Sequence, residues 1–159
     1  MGNEGAWKTL IERYQQRIFA LVFCLVGRDL DKAYDISAAS FVEAIRSASP
    51  QENDNIFLTR LASIAIHKCS EVKVIPSFNE SEFKNLPLGK QKSLCLVGRA
   101  LHLLSFEVKT LLLLREQLHL PYKDIAAIYQ VSGGEARPQV AKAQMRFREK
   151  IEEVLSGGA

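Results

Sequence analysis

Residues 121–143 have the sequence PYKDIAAIYQVSGGEARPQVAKA, and this stretch says most about the fold. Its first nine residues have the spacing of a short amphipathic helix that starts at a proline, where the missing N–H is harmless. Residues 130–132 predict a three-residue turn. Ser132, with Glu135 three positions later, has the pattern of a capping box that opens a longer helix. Together these pieces predict a helix-turn-helix.

Helical spacing of apolar residues also predicts three helices in the first 70 residues. We expect the third of them to be capped by Asp54 or Asn55. Between residues 71 and 92 the periodicity fades, and proline, glycine, serine and asparagine accumulate, which is typical of a linker. Helical spacing then resumes, and Ser105 can cap a further helix.

The expected fold class is therefore all-α, with two small helical domains joined by a linker. We place the N-terminal helical domain at residues 1–70, the linker at 71–92 and the C-terminal helix-turn-helix domain at 93–159.

Composition sets wider limits on the kind of protein. The chain has 159 residues, of which 47% are hydrophobic and 25% charged, as in ordinary globular proteins. Its three cysteines are widely spaced beside aliphatic residues, which favours buried reduced thiols over a disulfide framework. No secretory signal is visible, and the longest apolar stretch near the N-terminus, at 18–26, is far short of a bilayer span. We expect a soluble, cytoplasmic protein without membrane insertion.

The net charge of +3 is too small by itself to indicate nucleic acid, but its placement is informative. Residues 137–150 contain five bases and one acid, whereas residues 1–70 contain eight of each. Positive charge is thus concentrated on the second helix of the predicted helix-turn-helix. An ordinary solvated amphipathic helix is the alternative interpretation.

In a helix-turn-helix the N-terminal part of the second helix enters the major groove, and flanking bases contact phosphates. On this basis Arg137 and Gln139 are expected at base edges. Lys142, Arg146 and Arg148 are expected at the DNA backbone.

Taken in order, segments of the N-terminal half resemble the small extracytoplasmic-function (ECF) type of bacterial RNA polymerase sigma factor, a sigma-70-like family. The sequence LIERY at 10–14, with RIFA at 17–20, resembles the opening helix of that family. DLDKAYDI at 29–36, with FVEA at 41–44, resembles the segment that grips the polymerase clamp. FLTRLA at 57–62 resembles the helix that meets the start-proximal promoter element.

The C-terminal half resembles the part of the same family that reads the upstream promoter element. The resemblance is carried by LLLRE at 112–116, Leu120, YKDIA at 122–126 and VS at 131–132. It covers nearly the whole chain outside the linker.

The resemblance implies a transcription initiation factor that has no catalytic activity of its own. Asp35, Ile36 and Phe41 would bind core RNA polymerase, and Arg60 would lie near the melted promoter strand. The segment from Ser132 to Arg146 would bind the upstream duplex. Core polymerase and promoter DNA are the implied partners, and an anti-sigma factor is left open as a third.

Several positions depart from the pattern of the family. Ala38 and Ala39 stand where a Gln-Glu pair is usual, and Ser63 and Ile64 stand where a basic residue and Asn are usual. These substitutions motivate two alternatives. One is a degenerate sigma-like protein that acts through protein interaction as an anti-sigma decoy, and the other is a DNA-binding regulator without initiation activity.

Two further departures predict local distortions in the helix-turn-helix. Pro138 lies several residues inside the second helix, so we expect that helix to kink there or to begin later. Gln130 occupies the turn position that is usually Gly, and we expect it to adopt a left-handed conformation.

No arrangement of residues indicates an enzyme. The sequence lacks a Gly-rich phosphate loop, a Ser-His-Asp order and a nucleophile elbow. His67, Cys69, Cys95 and His102 lack the tight paired spacing of structural zinc sites. We therefore expect no catalytic residue, no metal and no cofactor.

Overall fold

The computed structural model describes residues 4–74 and 78–157, and every regular element in that part of the chain is helical. The fold class predicted from the sequence, all-α, is confirmed. In chain order the α-helices are α1 (Glu4–Leu25), α2 (Leu30–Arg46), α3 (Asp54–Ser70), α4 (Leu88–His102), α5 (Phe106–Glu116), α6 (Tyr122–Tyr129) and α7 (Gly133–Gly157). A short 3-10 helix, Glu80–Phe83, precedes α4.

Side-chain caps fix where several of these helices begin. Asp29 caps α2 by accepting a hydrogen bond from the Lys32 N–H at 3.0 Å, and that bond lowers the pKa of the Asp29 carboxyl. Ser105 caps α5 as predicted, with its Oγ 3.3 Å from the Val108 nitrogen.

The predicted cap of α3 was wrong by one residue. Asn53 is the cap, because its backbone is still extended and its Oδ1 accepts from the Ile56 N–H at 3.0 Å. Asp54 already belongs to the first turn of the helix and pairs with Arg13 of α1.

One hydrophobic cluster contains side chains from both halves of the sequence. Fully buried residues are contributed by α1, α3, α5, α6 and α7, among them Ile18, Leu61, Leu114, Ile125 and Val140. Helix α1 contacts α5, and α3 contacts α6. The helices before and after residues 71–92 therefore pack against each other.

The segment predicted as a linker is partly helical. Helix α4 begins at Leu88, inside the predicted linker, and the 3-10 helix also lies within it. Residues 75–77 of the linker lie outside the described residues. The division into two domains stays a prediction.

The three cysteines are free thiols, but only Cys69 is buried as predicted, whereas Cys24 and Cys95 are half-buried. Burial raises the pKa of the Cys69 thiol to about 12. None of the described helices is long and apolar enough to cross a membrane.

Candidate functional site

Helices α6 and α7 are joined by residues 130–132, the turn predicted from the sequence. Gln130 has φ 54° and ψ 39°, which confirms its expected left-handed conformation. The end of α6 is closed by hydrogen bonds from the N–H groups of Gln130 to the Ala127 carbonyl, at 3.3 Å, and of Val131 to the Ala126 carbonyl, at 3.0 Å. The short turn brings the start of α7 directly against α6.

The start of α7 is held by Ser132 and Glu135. The Ser132 N–H donates to Oε2 of Glu135 at 2.8 Å, which is the Glu half of the predicted capping box. Hydrogen bonds from the hydroxyl and the backbone N–H of Ser132 lower the pKa of Glu135. Ser132, a predicted DNA contact, thus also fixes the first turn of the helix.

Pro138 lies inside α7, so of the two predicted distortions, a kink at Pro138 or a later start of the helix, the later start is wrong. The helix starts at Gly133, five residues before the proline. The missing N–H of Pro138 leaves the Gly134 carbonyl without its helical partner, but Gly134 is exposed and water can bind that carbonyl. Buried Ala136 and Val140 meanwhile hold this part of the helix on the core.

The predicted base-reading residues lie on different flanks of α7. At 100° per residue, Arg137 and Gln139 point about 160° apart around the helix. Arg137 is exposed and Gln139 is half-buried. Between them, the middle of the exposed face carries Pro138, Ala141 and Met145, so it is largely apolar. The helix therefore does not place Arg137 and Gln139 on the same side of α7.

Arg137 instead lies beside Tyr122, the first residue of α6. The Arg137 guanidinium carbon is 5.7 Å from the centroid of the Tyr122 ring, and that of Arg115 is 4.3 Å from it. Arg115 also donates from Nη1 to the Leu120 carbonyl at 3.0 Å. Sequence reasoning missed Tyr122 and Arg115 as neighbours of Arg137, since no spacing along one helix signals a contact between three helices.

The bases of α7 differ in how far acids neutralise them. Arg146 lies 3.7 Å from Glu149, and Lys150 lies 2.7 Å from Glu153. Within the described ranges, no acid pairs with Arg137, Lys142 or Arg148, and all three are exposed. Uncompensated positive charge therefore extends along α7 from its first turns. Such a surface attracts phosphate.

Arg60 of α3, the other predicted DNA contact, is engaged within the protein. Its Nε donates to Oε1 of Glu52 at 2.9 Å, and the guanidinium also bonds the Ala44 carbonyl and the Ser47 hydroxyl. The Arg60 side chain is 24% exposed and that of Glu52 is 9% exposed. Arg60 thereby ties the loop between α2 and α3 to α3.

Helix α6 lies over the face of α3 that contains Arg60. A cleft of about 340 Å³ separates them. Its walls are formed by Ile56, Thr59, Arg60 and Ser63 of α3 and by Asp124, Ala127 and Ile128 of α6. The face that resembles a promoter-contacting helix is thus partly covered by the helix-turn-helix.

The predicted polymerase contacts lie on α2 at three different depths. Asp35 is exposed and Ile36 half-buried, whereas Phe41 is only 7% exposed and belongs to the core. Phe41 forms the floor of an apolar groove of about 540 Å³ between α1 and α2. The groove is lined mainly by Ile11, Phe19, Tyr34, Ala38, Phe41, Val42 and Ile45.

Sequence reasoning overlooked two exposed residues of this groove. Tyr34 is 64% exposed and Val42 is 49% exposed, and both flank Ala38 at i,i+4 spacing. The i,i+4 spacing could have revealed them in the sequence, because it predicts an apolar stripe on the surface of α2 beside the apolar stripe that packs into the core.

Within the described part of the chain, no group of three or more His, Cys, Asp or Glu side chains could hold a metal ion. Cys69 faces the hydrophobic core instead, and His67 is exposed beside Glu71, with its Nε2 3.5 Å from the carboxylate.

Comparison with known proteins gives similarity along almost the whole chain, although no protein-family model matches it. It is 26% identical to "RNA polymerase sigma-H factor" of Pseudomonas aeruginosa over an alignment of 175 positions, which covers 97% of this chain and 88% of that protein. It is 25% identical to "ECF RNA polymerase sigma-E factor" of Haemophilus influenzae, covering 97% and 92%. The protein of that name from Salmonella typhimurium is also 25% identical, with coverage of 97% and 91%.

Proposed function

We propose that this chain, which is related along 97% of its length to ECF RNA polymerase sigma factors, is itself a sigma factor that directs RNA polymerase to promoters. The observation that carries the proposal is the extent of the similarity, which runs through both halves of the chain. The resemblance predicted from the sequence is confirmed by these relatives. They favour an initiation factor over an anti-sigma decoy or a regulator that does not initiate.

Core polymerase is proposed to bind the groove between α1 and α2. The exposed apolar side chains of Tyr34 and Val42 support this site, because exposed apolar stripes on a helix mark docking surfaces for other proteins. Ala38 in the same groove contributes an apolar contact where the family usually has a polar one. Asp35 and Ile36 lie outside the lining of the groove and stay proposed contacts beside it, while Phe41 supports the groove from beneath.

Upstream promoter DNA is proposed to bind α7. Its uncompensated basic residues, Arg137 and Lys142, are exposed on the two sides of an apolar strip. Arg137 is proposed to reach a nucleobase edge from one side of the strip, and Lys142 to approach the phosphates on the other. Arg146 reaches the same backbone from the next turn. Gln139 contacts DNA from the flank opposite Arg137, and Ser132 contacts it at the start of the helix.

Arg60 is proposed to contact promoter DNA only after it leaves Glu52. Its several internal partners support a second role as a structural residue. The protein is proposed to be cytoplasmic and not an enzyme, with core RNA polymerase and promoter DNA as partners. An anti-sigma factor is proposed as a third partner only because the chain is related to sigma factors.

The direct test is titration of the purified chain with core RNA polymerase from its source organism at physiological salt. We expect tight binding by the natural chain, and promoter-dependent transcripts in a run-off assay. Val42→Asp places a carboxylate in the groove and is expected to weaken binding strongly, since an unpaired charge is buried on association.

Leu155→Asp is the matched control, because Leu155 is 67% exposed near the end of α7 and far along the chain from the groove. It is expected to bind like the natural chain. An Ala38→Gln, Ala39→Glu variant tests the departures from the family. Failure of the natural chain to bind, with recovery in this variant, would contradict the proposal and favour the decoy.

A further inference from the structure

The exposed face of α7 carries an apolar strip made of Pro138, Ala141 and Met145. All three residues are exposed, and Met145 has 60% of its surface exposed. At 100° per residue they fall within an arc of about 60° around the helix. Ala136 and Val140 are buried on the opposite side, where they pack into the core. The apolar strip is therefore the outermost part of the helix.

Basic residues border the apolar strip on both sides. Arg137 lies about 40° beyond Ala141 around the helix, and Lys142 lies about 40° beyond Pro138. Both are exposed, and no acid within the described residues pairs with either of them. Arg137 lies on the side nearer α6, with its guanidinium carbon 5.7 Å from the centroid of the Tyr122 ring. The apolar strip is thus left open between two positive borders.

This arrangement of charge matches the major groove of duplex DNA. The groove is about 12 Å wide, which is as wide as an α-helix with its side chains. The phosphates at its edges and the acceptor groups of guanine within it both attract basic side chains. When Arg137 and Lys142 bind these groups, the apolar strip between them faces the floor of the groove.

Thymine is the base that offers an apolar surface on that floor. The other groups that base pairs present there are hydrogen-bonding donors and acceptors, which an apolar side chain would leave unpaired. Thymine adds a C5-methyl group, and apolar contact with that methyl removes both surfaces from water. From Pro138 to Met145 the apolar strip is about 10 Å long, or roughly three base-pair steps. It is therefore long enough to contact more than one thymine.

We propose that Pro138, Ala141 and Met145 read thymine methyl groups, so that the upstream promoter element contains thymine where α7 lies in the major groove. This inference rests on the proposed function, because it specifies the DNA sequence that α7 recognises. A polar helix face in the same place would select hydrogen-bonding groups instead. The inference also gives Pro138 a function, although a proline at this position removes one helical hydrogen bond.

The test begins with a DNA sequence chosen by the protein. The full chain, bound to core RNA polymerase, selects upstream duplexes from a random pool, and each thymine of the preferred duplex is then replaced in turn by deoxyuridine. This replacement removes only the methyl group and keeps base pairing and charge. We expect selected thymines, and a loss of binding of about three- to fivefold for each contacted methyl that is removed. Deoxyuridine in the flanking DNA is the control and is expected to have no effect.

Met145→Gln tests whether the apolar strip carries the effect. Glutamine keeps the length of the side chain but makes its end polar, so we expect weaker binding to the preferred duplex and a smaller response to deoxyuridine. Leu155→Gln is the matched control, because Leu155 is also apolar and 67% exposed but lies about 15 Å further along α7. Both variants are expected to unfold at the temperature of the natural chain, since both residues are exposed.

Each contrary result has a distinct meaning. A preferred duplex that lacks thymine, or that tolerates every deoxyuridine, would overturn the inference and leave the proposed function standing. Weaker binding of Met145→Gln to core polymerase without DNA would assign the apolar strip to a protein contact and overturn the inference as well. A chain that prefers no sequence over random DNA would contradict the proposed function, and the inference would fail with it.

Discussion

The two regions predicted to contact DNA hold their arginines in opposite ways. Arg60 of α3 is paired with Glu52 and hydrogen-bonded to the Ala44 carbonyl and the Ser47 hydroxyl. Its positive charge is therefore neutralised within the protein. Arg137 and Lys142 of α7 are exposed, and within the described ranges no acid pairs with them. A basic residue in a matching motif is therefore available for DNA only if the fold leaves it without an internal partner.

The largest effect on the free energy of unfolding should come from removing the internal contacts of Arg60. Arg60→Ala leaves the Glu52 carboxylate, 9% exposed, without its partner, and is expected to lower the free energy of unfolding by about 2–3 kcal/mol. Arg137→Ala should change it by less than about 0.5 kcal/mol, since that side chain is exposed. Urea unfolding of both variants measures the difference. Equal losses in the two would contradict the comparison.

DNA binding should show the reverse order. Arg137→Ala is expected to cost roughly 1–3 kcal/mol on a preferred duplex and less on random sequence if it reaches a base edge. Lys142→Ala should weaken both duplexes alike and make the salt dependence less steep by about one phosphate contact. Titration at several salt concentrations measures both effects. A uniform loss for Arg137→Ala would remove it from the base-reading set.

Each half of the molecule contains a helix whose N-terminus is capped by a side chain, so the two caps allow the stability of the halves to be compared. Asn53→Ala removes the cap of α3 and Ser105→Ala that of α5, and each is expected to destabilise the fold by about 1 kcal/mol. Since the two halves share one core, we expect a single unfolding transition in both variants. Two separate transitions by circular dichroism and fluorescence would show that the halves unfold independently.

The smallest effect concerns Glu135 and pH. Hydrogen bonds from Ser132 lower its pKa in the folded chain. Its contribution to stability is therefore fully present above the ordinary carboxyl pKa of about 4.3 and is lost as pH falls through the lower folded value. We expect Glu135→Gln to unfold at a lower temperature than the natural chain at neutral pH, with the gap closing in acid. A gap that persists unchanged in acid would assign the difference to something other than this carboxylate.

Much of the fold followed from local patterns. The positions of α5, α6 and α7 were predicted because Ser105, Pro121 and the Ser132–Glu135 box act within one turn of the chain. The left-handed conformation of Gln130 was predicted because this residue occupies the turn position that is usually Gly. The cap of α3 was misplaced by one residue, since neighbouring Asn and Asp side chains are equally able to cap and only backbone geometry chooses between them.

The site was less predictable than the fold. Sequence spacing marked Arg137 and Gln139 together, although the helical turn puts them on opposite flanks of α7. The resemblance to sigma factors implied that Phe41 contacts polymerase, but the structure buries that ring under a groove whose exposed residues include Tyr34 and Val42. Neighbours on other helices decide exposure, and a single helix pattern does not contain them.

The sequence by itself determined an all-helical chain, the helix-turn-helix pattern with its turn and cap, the concentration of bases on α7 and the relationship to sigma factors. These depend on interactions within a few residues or on the order of motifs. Only the tertiary structure decided which arginines remain free, that α6 covers α3, and that Arg28 binds Glu82, 54 residues further along the chain. Contacts between distant segments arise from packing of the whole core, so no local spacing encodes them.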